Sequence, residues 1–276
     1  MPGELVAWAK RHGRDLPWRH TRDPWAILVS EVMLQQTQVA RVIPVWTAFL
    51  DQFPTPKACA AAPQADVVTA WHGMGYNRRA VNLHRCAVAI AEDHAGVVPG
   101  DLDALLRLPG IGPYTARAVL VFAFERRYGV LDVNAARVHA RLNGGVVTQQ
   151  AADAAAPPRN AWAWNQAVLD LGATVCTKRS PACDRCPLNS RCQWRNVGPD
   201  PAGPGTRQSR FEGSDRQGRG RLVNALRIGP VSGNPDHLAV TMGWPDDPAR
   251  SLRVANSVVA DGLAKWEHQS GTICLH

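Results

Sequence analysis

The sequence predicts an all-α protein over its first 195 residues, followed by a smaller C-terminal unit. Apolar residues recur at helical spacing through most of this region, and prolines and capping residues mark where helices begin. Alternating strand patterns are nearly absent before residue 195. With 276 residues, 45% of them hydrophobic and 20% charged, the chain is long enough for one large domain or two modest ones.

The predicted helices follow one another closely. The first covers residues 1–20, with Leu5 and Trp8 on its apolar face. The second begins at Asp23-Pro24, where aspartate is an N-cap and proline takes the first helical position. It is expected to continue without a break to Pro44. The helices after it are predicted at Pro44–Asp51, Pro56–Ala61, Ala65–Trp71, Arg79–His94 and Asp101–Leu106.

A glycine hairpin precedes the next helix. Gly110 and Gly112 both allow positive φ angles and a close approach of the backbone to a ligand. The free amides at the start of the helix that carries Tyr114 to Phe124 suit a phosphate group. A helix corner that binds no ligand is the alternative for this motif taken alone.

The end of the chain reads as a separate small domain. Residues 196–205 are rich in proline and glycine and predict a linker. Beyond the linker, we expect two helices and a hairpin, an order typical of a winged-helix unit. The predicted organisation therefore has four parts. Residues 1–20 and 131–195 form one lobe, in which the N-terminal helix joins the metal-bearing segment, and residues 21–130 form a helical barrel. Residues 196–205 are the linker, and residues 206–276 are the small C-terminal domain. The two helices of the last domain are predicted at Gly220–Ile228 and Ala249–Leu263.

The charge balance favours a polyanionic partner. Lys and Arg total 31 against 23 Asp and Glu, which gives a net charge of +8 and a pI of ≈ 9.5. Such a surplus is typical of nucleic-acid-binding proteins, although many basic proteins bind none. No apolar run could span a bilayer, and the N-terminus has no signal-peptide pattern. We expect a cytoplasmic, nucleoid-associated protein with no membrane partner, acting as a monomer.

Four of the seven cysteines form a cluster with the spacing C-x6-C-x2-C-x5-C. In a reducing compartment such a set indicates a metal site. Either a structural zinc or an iron–sulfur cluster would use four thiolates, and the uneven loops favour the larger cluster. Nearby cations, Lys178 and Arg179 among them, suit a phosphate backbone or form an ordinary solvated surface. The four cysteines are Cys176, Cys183, Cys186 and Cys192.

Two carboxylates stand in contrasting environments. Glu31 lies within the second helix, one turn from Ile27, Leu28 and Leu34. Burial there would raise the pKa of its carboxyl and suit a general acid, unless an arginine pairs with it. Asp132 precedes a helical pattern, where an N-cap position favours the ionised form. Capping alone would explain Asp132, but the two together match the acid and carboxylate that cleave a glycosidic bond.

At this point the chain resembles a known family. The segments LPGIGPYTARAV and LDVN resemble the helix-hairpin-helix, Gly-Pro-Asp superfamily of base-excision DNA glycosylases, and the cysteine array is similar to that family's 4Fe-4S loop. LPWR, DPWAILVSEVMLQQTQV, GMGY and WNQAVLDLGATVC resemble the MutY-type adenine DNA glycosylases. The resemblance covers roughly residues 1–195. It implies a two-lobed fold, a 4Fe-4S cofactor and double-stranded DNA with a mismatched adenine as partner.

The resemblance also implies roles for individual residues. Glu31 would protonate adenine at N7, and Asp132 would stabilise the oxocarbenium ion or trap it briefly. Tyr114 and Asn134 would orient these groups and the water, and because Tyr114 stands where related lyases carry a lysine, we expect a monofunctional glycosylase. Gln36 and Tyr76 would wedge into the base stack, and the hairpin amides of Gly110 and Gly112 would hold phosphate. The remaining residues expected to contact adenine or DNA are Trp18, Arg19, Leu34, Gln35 and Gln166.

The chain departs from the family pattern in two places. The second of two paired aromatic residues after the GMG turn is Asn77 here, and residues 206–276 are too few for the NUDIX-like domain that reads 8-oxoguanine. The preference for 8-oxoguanine over guanine therefore stays open. Two rival functions also stay open: a G·T mismatch thymine or uracil glycosylase of the same superfamily, and a catalytically inactive DNA-binding protein that uses the cluster as a scaffold.

Overall fold

The computed structural model describes residues 2–195, 197–203 and 209–276. The fold is mainly helical, as predicted. Contacts within the described part of the chain group it into two compact units. One holds residues 2–28, 100–107 and 111–203, and the other holds residues 29–99, 108–110 and 209–276.

The first unit is built around a core formed by three helices. Apolar side chains of α1, α9 and α11 pack together, and three of the clustered cysteines lie partly buried against this core. A 3₁₀ turn at Pro17–Arg19 follows α1, and short 3₁₀ turns at Cys183–Arg185 and Asn189–Arg191 lie within the cysteine loop. The helices of this unit are α1 (Pro2–His12), α7 (Leu102–Arg107), α8 (Pro113–Phe122), α9 (Val133–Asn143), α10 (Gln149–Ala155) and α11 (Ala161–Thr174), and α2 (Pro24–Leu34) begins in it and continues into the second unit.

The second unit combines the helices before residue 99 with the C-terminal residues. Helices α12 to α14 accompany a three-stranded antiparallel sheet of order β1-β3-β2, in which Trp266 pairs with Ile273. Two of these helices and the β2–β3 hairpin agree with the predicted winged-helix-like unit, while α13 and β1 were not predicted. The elements are α3 (Val39–Gln52), α4 (Pro56–Ala61), α5 (Gln64–Ala70), α6 (Arg78–Asp93), α12 (Asp215–Leu226), β1 (Val231–Ser232), α13 (Pro235–Met242), α14 (Pro248–Ala260), β2 (Ala264–Glu267) and β3 (Thr272–Leu275).

The helix predicted to run unbroken to Pro44 is in fact two helices, so that prediction is wrong. α2 ends at Leu34, and α3 begins at Val39 and continues through Pro44. A helix that continued past Leu34 would need the carbonyls of Val32 and Met33 for its next hydrogen bonds. Both carbonyls instead accept bonds from the Arg79 guanidinium, at 2.8 and 2.9 Å. A tertiary contact with Arg79 therefore stabilises the end of α2 at a place where the local sequence would extend the helix.

The predicted first helix is also shorter than expected, because α1 ends at His12 rather than near residue 20. Gly13 follows it and donates its N–H to the Ala9 carbonyl, and a side chain at Gly13 would clash with that oxygen. The next amide, that of Arg14, donates to the Asp170 carboxylate at 3.2 Å. The chain thus leaves the helix at a glycine, the residue that this close approach to the Ala9 carbonyl requires.

The predicted linker and C-terminal domain fall only partly on described residues. Positions 196 and 204–208 lie outside them. Within residues 197–203, the Asp200 carboxylate forms an ion pair with buried Arg141 of α9, so this part of the predicted linker packs on the first unit. The C-terminal domain bounds remain a prediction, although the structure groups residues 209–276 with residues 29–99.

Candidate active site and cysteine cluster

Asp132 caps the N-terminus of α9. One carboxylate oxygen accepts the backbone N–H of Asn134 at 2.9 Å and of Ala135 at 2.6 Å, and the other accepts the Asn134 side-chain amide at 2.9 Å. These donors and the positive end of the helix dipole stabilise a negative charge. The carboxylate is half-buried and is fixed in place by these three hydrogen bonds.

The Asp132 cap is connected to the cysteine loop through an arginine that sequence reasoning missed. Arg137 donates to the Asn134 side-chain oxygen at 2.8 Å. The same guanidinium donates to the carbonyls of Cys176 at 2.8 Å and Gly172 at 2.7 Å. Since Arg137 lies three residues after Asn134 on the same helix, the i, i+3 spacing could have indicated the first contact. Its partners on the loop could not be predicted.

Glu31 is buried within α2, with 4% of its surface exposed. Ile27 and Leu28, one turn earlier, are 2% and 0% exposed, as the apolar sequence around Glu31 predicts. Water is therefore largely kept from this carboxyl. Such an environment is the one in which a carboxylic acid can retain a proton near neutral pH.

The glycine hairpin only partly matches its prediction. Gly110 has a φ of 77°, and a Cβ there would lie 2.7 Å from the Cβ of Asn82, so this position requires glycine. Gly112 instead has a φ of −94°, which any residue can adopt, and it serves as the N-cap of α8. No atom would meet a Cβ at Gly112, so its value lies in leaving the helix N-terminus accessible. Tyr114 follows in the first turn of α8, half-buried.

The two residues predicted to enter the base stack share an unusual backbone conformation. Gln36 has a φ of 55° and Tyr76 a φ of 45°, in the left-handed region that residues with a Cβ seldom occupy. Each is exposed, Tyr76 with 41% of its surface. Gln36 was predicted to project from the same helix as Glu31, but it follows the end of that helix, after the half-buried Leu34 and Gln35. Strained residues of this kind cluster at functional sites.

One buried arginine joins the two turns that carry these residues. Besides capping α2, Arg79 donates to the Thr37 hydroxyl at 3.0 Å and to the carbonyls of Met74 and Gly75, each at 3.2 Å. Burial lowers the pKa of this guanidinium to about 10, although Tyr76 acts in the opposite direction. The structure thus brings the Gln36 and Tyr76 turns together within the second unit. No local sequence signal identifies Arg79 as the link between the turns, because Val32, Met33 and Thr37 lie 42 to 47 positions away.

The residues predicted to line an adenine pocket in the first unit are mostly buried. Trp18 is 7% exposed and Gln166 is 8% exposed. The guanidinium of Arg19 forms two bonds to the Asp170 carboxylate, at 2.7 and 2.8 Å. The Arg19 charge is thus paired within the protein, and the contact of Arg19 with adenine stays a prediction.

The four clustered cysteines line a single pocket. Pro181, Asn189 and Trp194 contribute to its wall, and buried Arg141 closes one side. A donor set of four thiols around one pocket fits a cluster ligated by four thiolates. The other cysteines, Cys59, Cys86 and Cys274, do not line this pocket.

Burial and the closeness of the sulfurs disfavour the thiolate form at two of the clustered cysteines. Burial, together with neighbouring thiolates, raises the pKa of Cys183 and raises that of Cys186 to about 11. Arg141 partly compensates, since it donates to the Cys176 sulfur at 3.4 Å and to the Thr177 carbonyl at 2.7 Å. Burial opposes the charge of Arg141, but its bonds to Asp200 and Cys176 outweigh burial and raise its pKa. Iron bound to the sulfurs would supply the remaining positive charge.

Comparisons with known proteins agree with this geometry. The family profile described as HhH-GPD superfamily base excision DNA repair protein matches residues 29–156, and that of the iron-sulfur binding domain of endonuclease III matches residues 176–192. The adenine DNA glycosylase of Mycolicibacterium smegmatis is 46% identical over 96% of this chain and 92% of its own length. That of Homo sapiens is 39% identical over 70% of this chain and 39% of its own length. The solved structure of a thermostable thymine-DNA glycosylase, 28% identical, superposes with a TM-score of 0.67 over 71% of this chain and 94% of that one.

The helical fold, the hairpin, the capped aspartate and the four-cysteine loop together define a DNA glycosylase of base excision repair. The chain belongs to the HhH-GPD superfamily of base excision DNA repair proteins. Its cysteine loop is a 4Fe-4S binding domain, so the zinc alternative is set aside. Within the described residues, no helix is long and apolar enough to cross a membrane.

Proposed function

We propose that the protein is a monofunctional DNA glycosylase that hydrolyses the N-glycosidic bond of adenine mispaired with 8-oxoguanine or guanine. The observation that carries the proposal is the 46% identity, over nearly the whole chain, to a protein named adenine DNA glycosylase. The buried Glu31 and the capped Asp132 support it chemically. Double-stranded DNA is the substrate, and the protein acts on it as a monomer in the cytoplasm, associated with the nucleoid.

Glu31 is the general acid in this proposal. Adenine is a poor leaving group unless a proton is placed on its ring, and N7 is the position where it can be received. A carboxyl that is 4% exposed keeps its proton more readily than one in water. Proton transfer from Glu31 to N7 lets the C1′–N9 electron pair leave with a neutral base.

Asp132 then stabilises the positive charge that develops on the sugar. Its carboxylate is held by two backbone amides and the Asn134 side chain, so it is already positioned before the bond breaks. Water adds to C1′ and loses a proton, which leaves an abasic sugar and an intact strand. Asn134 orients the carboxylate, and Tyr114 takes part in ordering the water. Because no lysine occupies the place of Tyr114, no Schiff base forms and the strand is not cut.

Access to the base requires that it leave the stack. Chemistry on a base inside a duplex is sterically blocked, so the nucleotide is extruded and the gap filled. Gln36 and Tyr76 fill it, which gives a purpose to their strained, exposed conformations. The hairpin amides around Gly110 and Gly112 hold a phosphate of the same DNA. The residues proposed to surround the extruded adenine are Trp18, Arg19, Leu34, Gln35 and Gln166.

The iron–sulfur loop has a binding role in this account. The cluster, when bound, supplies the cationic centre that fixes Cys176, Cys183, Cys186 and Cys192, and the chain's own cations then face outward. Lys178 and Arg179 on this loop, both at least partly solvent-accessible, are placed to contact DNA phosphates. Arg137 ties the same loop to Asn134.

The proposal is tested by single-turnover assays on duplexes carrying A·8-oxoguanine, A·G, A·C and G·T. We expect free adenine from the first two, with strand breakage only after alkali treatment. Breakage without alkali, or a borohydride-trapped adduct, would show lyase chemistry and contradict the monofunctional assignment. The solved thymine-DNA glycosylase neighbour favours one second candidate, a G·T mismatch thymine glycosylase. Thymine release from G·T with no adenine release would establish that candidate instead.

A further inference from the structure

The C-terminal module, residues 209–276, contacts the turn that carries Tyr76. This turn, Gly73–Asn77, and the module belong to the same compact unit. Helix α12 of the module provides the contacts, through Arg216 near its start and Arg227 immediately after its end. Both arginines donate hydrogen bonds to this turn.

Arg227 anchors the module to the turn. Its guanidinium donates to the Asn77 side-chain oxygen at 3.1 Å and twice to the Val68 carbonyl, at 3.2 and 3.0 Å. A fourth bond, to the Asn224 side chain at 2.6 Å, fixes it from within α12. Burial lowers the pKa of Arg227 to about 10, so the group has given up water for these partners. Asn77 is the residue at which this chain departs from the paired aromatics of the family, and here its amide is the acceptor for the module.

Arg216 reaches Tyr76 itself. It donates to the Tyr76 hydroxyl at 3.3 Å. The guanidinium is already held by the Ser209 carbonyl at 2.7 Å and lies 6.0 Å from the Phe211 ring centroid. An arginine whose side chain is already fixed by other contacts loses less conformational entropy when it forms a further hydrogen bond. On its other side the Tyr76 ring has Arg79, whose guanidinium carbon is 5.7 Å from the ring centroid.

Further contacts hold the module against α5 and α6. The Gln64 side chain donates to the Gly262 carbonyl at 2.7 Å, and Arg78 pairs with Asp261 at 3.3 Å. Arg219 of α12 donates to the same aspartate. Gly262 has a φ of 74°, and a Cβ there would lie 2.6 Å from an Arg85 nitrogen. The approach is therefore close and specific, and it is not a loose tether.

We propose that the C-terminal module is a positioning element for Tyr76, which it holds in the left-handed conformation from which the ring enters DNA. The turn would otherwise relax, because a tyrosine at a φ of 45° is strained. Arg227 fixes the following residue, Asn77, and Arg216 fixes the ring's hydroxyl. This inference rests on the proposed function for the insertion of Tyr76. It assigns residues 209–276 a part in mismatch recognition.

The test uses Arg227→Met and Asn77→Ala in the full-length protein, with Arg253→Met as the matched control. Arg253 pairs with Asp215 at 3.0 Å, so both partners belong to the module and neither belongs to the turn. A 2-aminopurine beside 8-oxoguanine in the duplex reports unstacking as a rise in fluorescence. We expect both test variants to lose most of this rise and to slow adenine release from A·8-oxoguanine by about ten- to a hundredfold. The control variant should behave as the wild type.

Asn77→Ala leaves every residue of the module in place, so its result does not depend on whether Arg227→Met folds. Thermal melting and iron content verify both chains. An undiminished fluorescence rise in Asn77→Ala, with the protein folded, would overturn the proposal. Because fluorescence reports insertion and not chemistry, a wild type that unstacks the duplex but releases no adenine would contradict the proposed function and leave the positioning role standing.

A double-mutant cycle isolates the Arg216 contact. Tyr76→Phe removes the acceptor hydroxyl and retains the ring, and Arg216→Met removes the donor. If the hydroxyl is the route by which Arg216 acts, Arg216→Met should reduce the fluorescence rise in the wild type and have no further effect in Tyr76→Phe. Equal, additive losses in both backgrounds would contradict this route.

Discussion

Single arginines connect parts of this protein that are distant in sequence. Arg79 caps α2 and joins two turns, and Arg137 connects the Asp132 cap to the cysteine loop. Arg141 donates a hydrogen bond to a backbone carbonyl of that loop. Each donates to backbone carbonyls that lie at a helix end or in a loop and so have no partner within a helix. Arginine is suited to this role, because its planar fork carries five donors and stays charged when partly buried. None of these roles was predicted from the sequence, since the partners lie 39 positions away for Arg137 and Cys176.

The site residues that local patterns could predict are those whose partners are local. The Asp132 cap follows from a carboxylate placed before a helical pattern, and its donors are two and three residues away. The burial of Glu31 follows from the apolar residues one turn distant. Arg19 pairs with Asp170, which lies 151 positions away. No pattern in the sequence around either residue indicates this pairing.

Changing Asp132 to Asn separates capping from catalysis. Asparagine caps helices about as well as aspartate, so we expect the free energy of unfolding to change by no more than about 1 kcal/mol. The negative charge is lost, however, and adenine release should fall by about 10²–10³-fold. Thermal melting and single-turnover rates measure the two effects on one sample. A variant with wild-type activity would show that Asp132 is only a cap.

The Asp170 carboxylate gives a pH-dependent prediction. Burial alone would raise its pKa, but bonds from Arg19 and Arg14 outweigh burial and lower it. A lowered pKa stabilises the folded state above the ordinary aspartate pKa of about 3.9, and this contribution is lost as the pH falls through the folded value. Asp170→Asn should therefore cost about 1.5–3 kcal/mol near pH 7, because Arg19 and the more exposed Arg14 lose their charged hydrogen-bond acceptor.

Urea unfolding at several pH values tests this contribution. The difference in unfolding free energy between the wild type and Asp170→Asn should narrow as the pH falls below about 4. Asp66→Asn, at an exposed position in the first turn of α5, is the control and should show little difference at any pH. A gap for Asp170→Asn that stays constant down to pH 3 would contradict the assigned role.

At the scale of whole elements, helix existence was easier to predict than helix ends. Helix α4 has the predicted bounds, and α6 differs by one residue at each end. The break after Leu34 was missed, because the arginine that binds the last carbonyls of α2, Arg79, lies on another helix. Helix α13 was also missed, although Asn234 caps it, Pro235 opens it and Gly243 follows it in a left-handed conformation. Those three signals were present in the sequence.

The cysteine loop makes a prediction at the element scale. Replacing Cys192 with Ser removes one of the four thiols that line the pocket, so the cluster should be lost or greatly reduced in occupancy. Visible absorbance and iron content measure the cluster directly, and protease cleavage within residues 176–192 should become faster. Cys274→Ser, in strand β3, is the control and should retain the colour and the iron. A colourless wild type that contains zinc would contradict the cluster.

At the scale of the whole molecule, the pattern of apolar residues predicted the helical fold class. It did not predict which segments of the chain pack together in one compact unit. Apolar periodicity and the absence of strand patterns before residue 195 are local properties, and the fold agrees with them. The association of residues 209–276 with residues 29–99 depends on contacts such as Arg227 with Val68. Nothing in the sequence of either segment indicates that these two segments pack together. The Pro- and Gly-rich segment before the module therefore could not reveal where the module docks.

The central claim is that a buried acid and a capped carboxylate release adenine from a mispair. The most direct measurement is free adenine formed in a single turnover on A·8-oxoguanine DNA by the wild type and by Glu31→Gln. Glutamine keeps the size of the side chain but cannot donate the proton, so we expect release to slow by about 10²–10⁴-fold while the affinity for the duplex is retained. Release of adenine by Glu31→Gln at the wild-type rate would contradict the account.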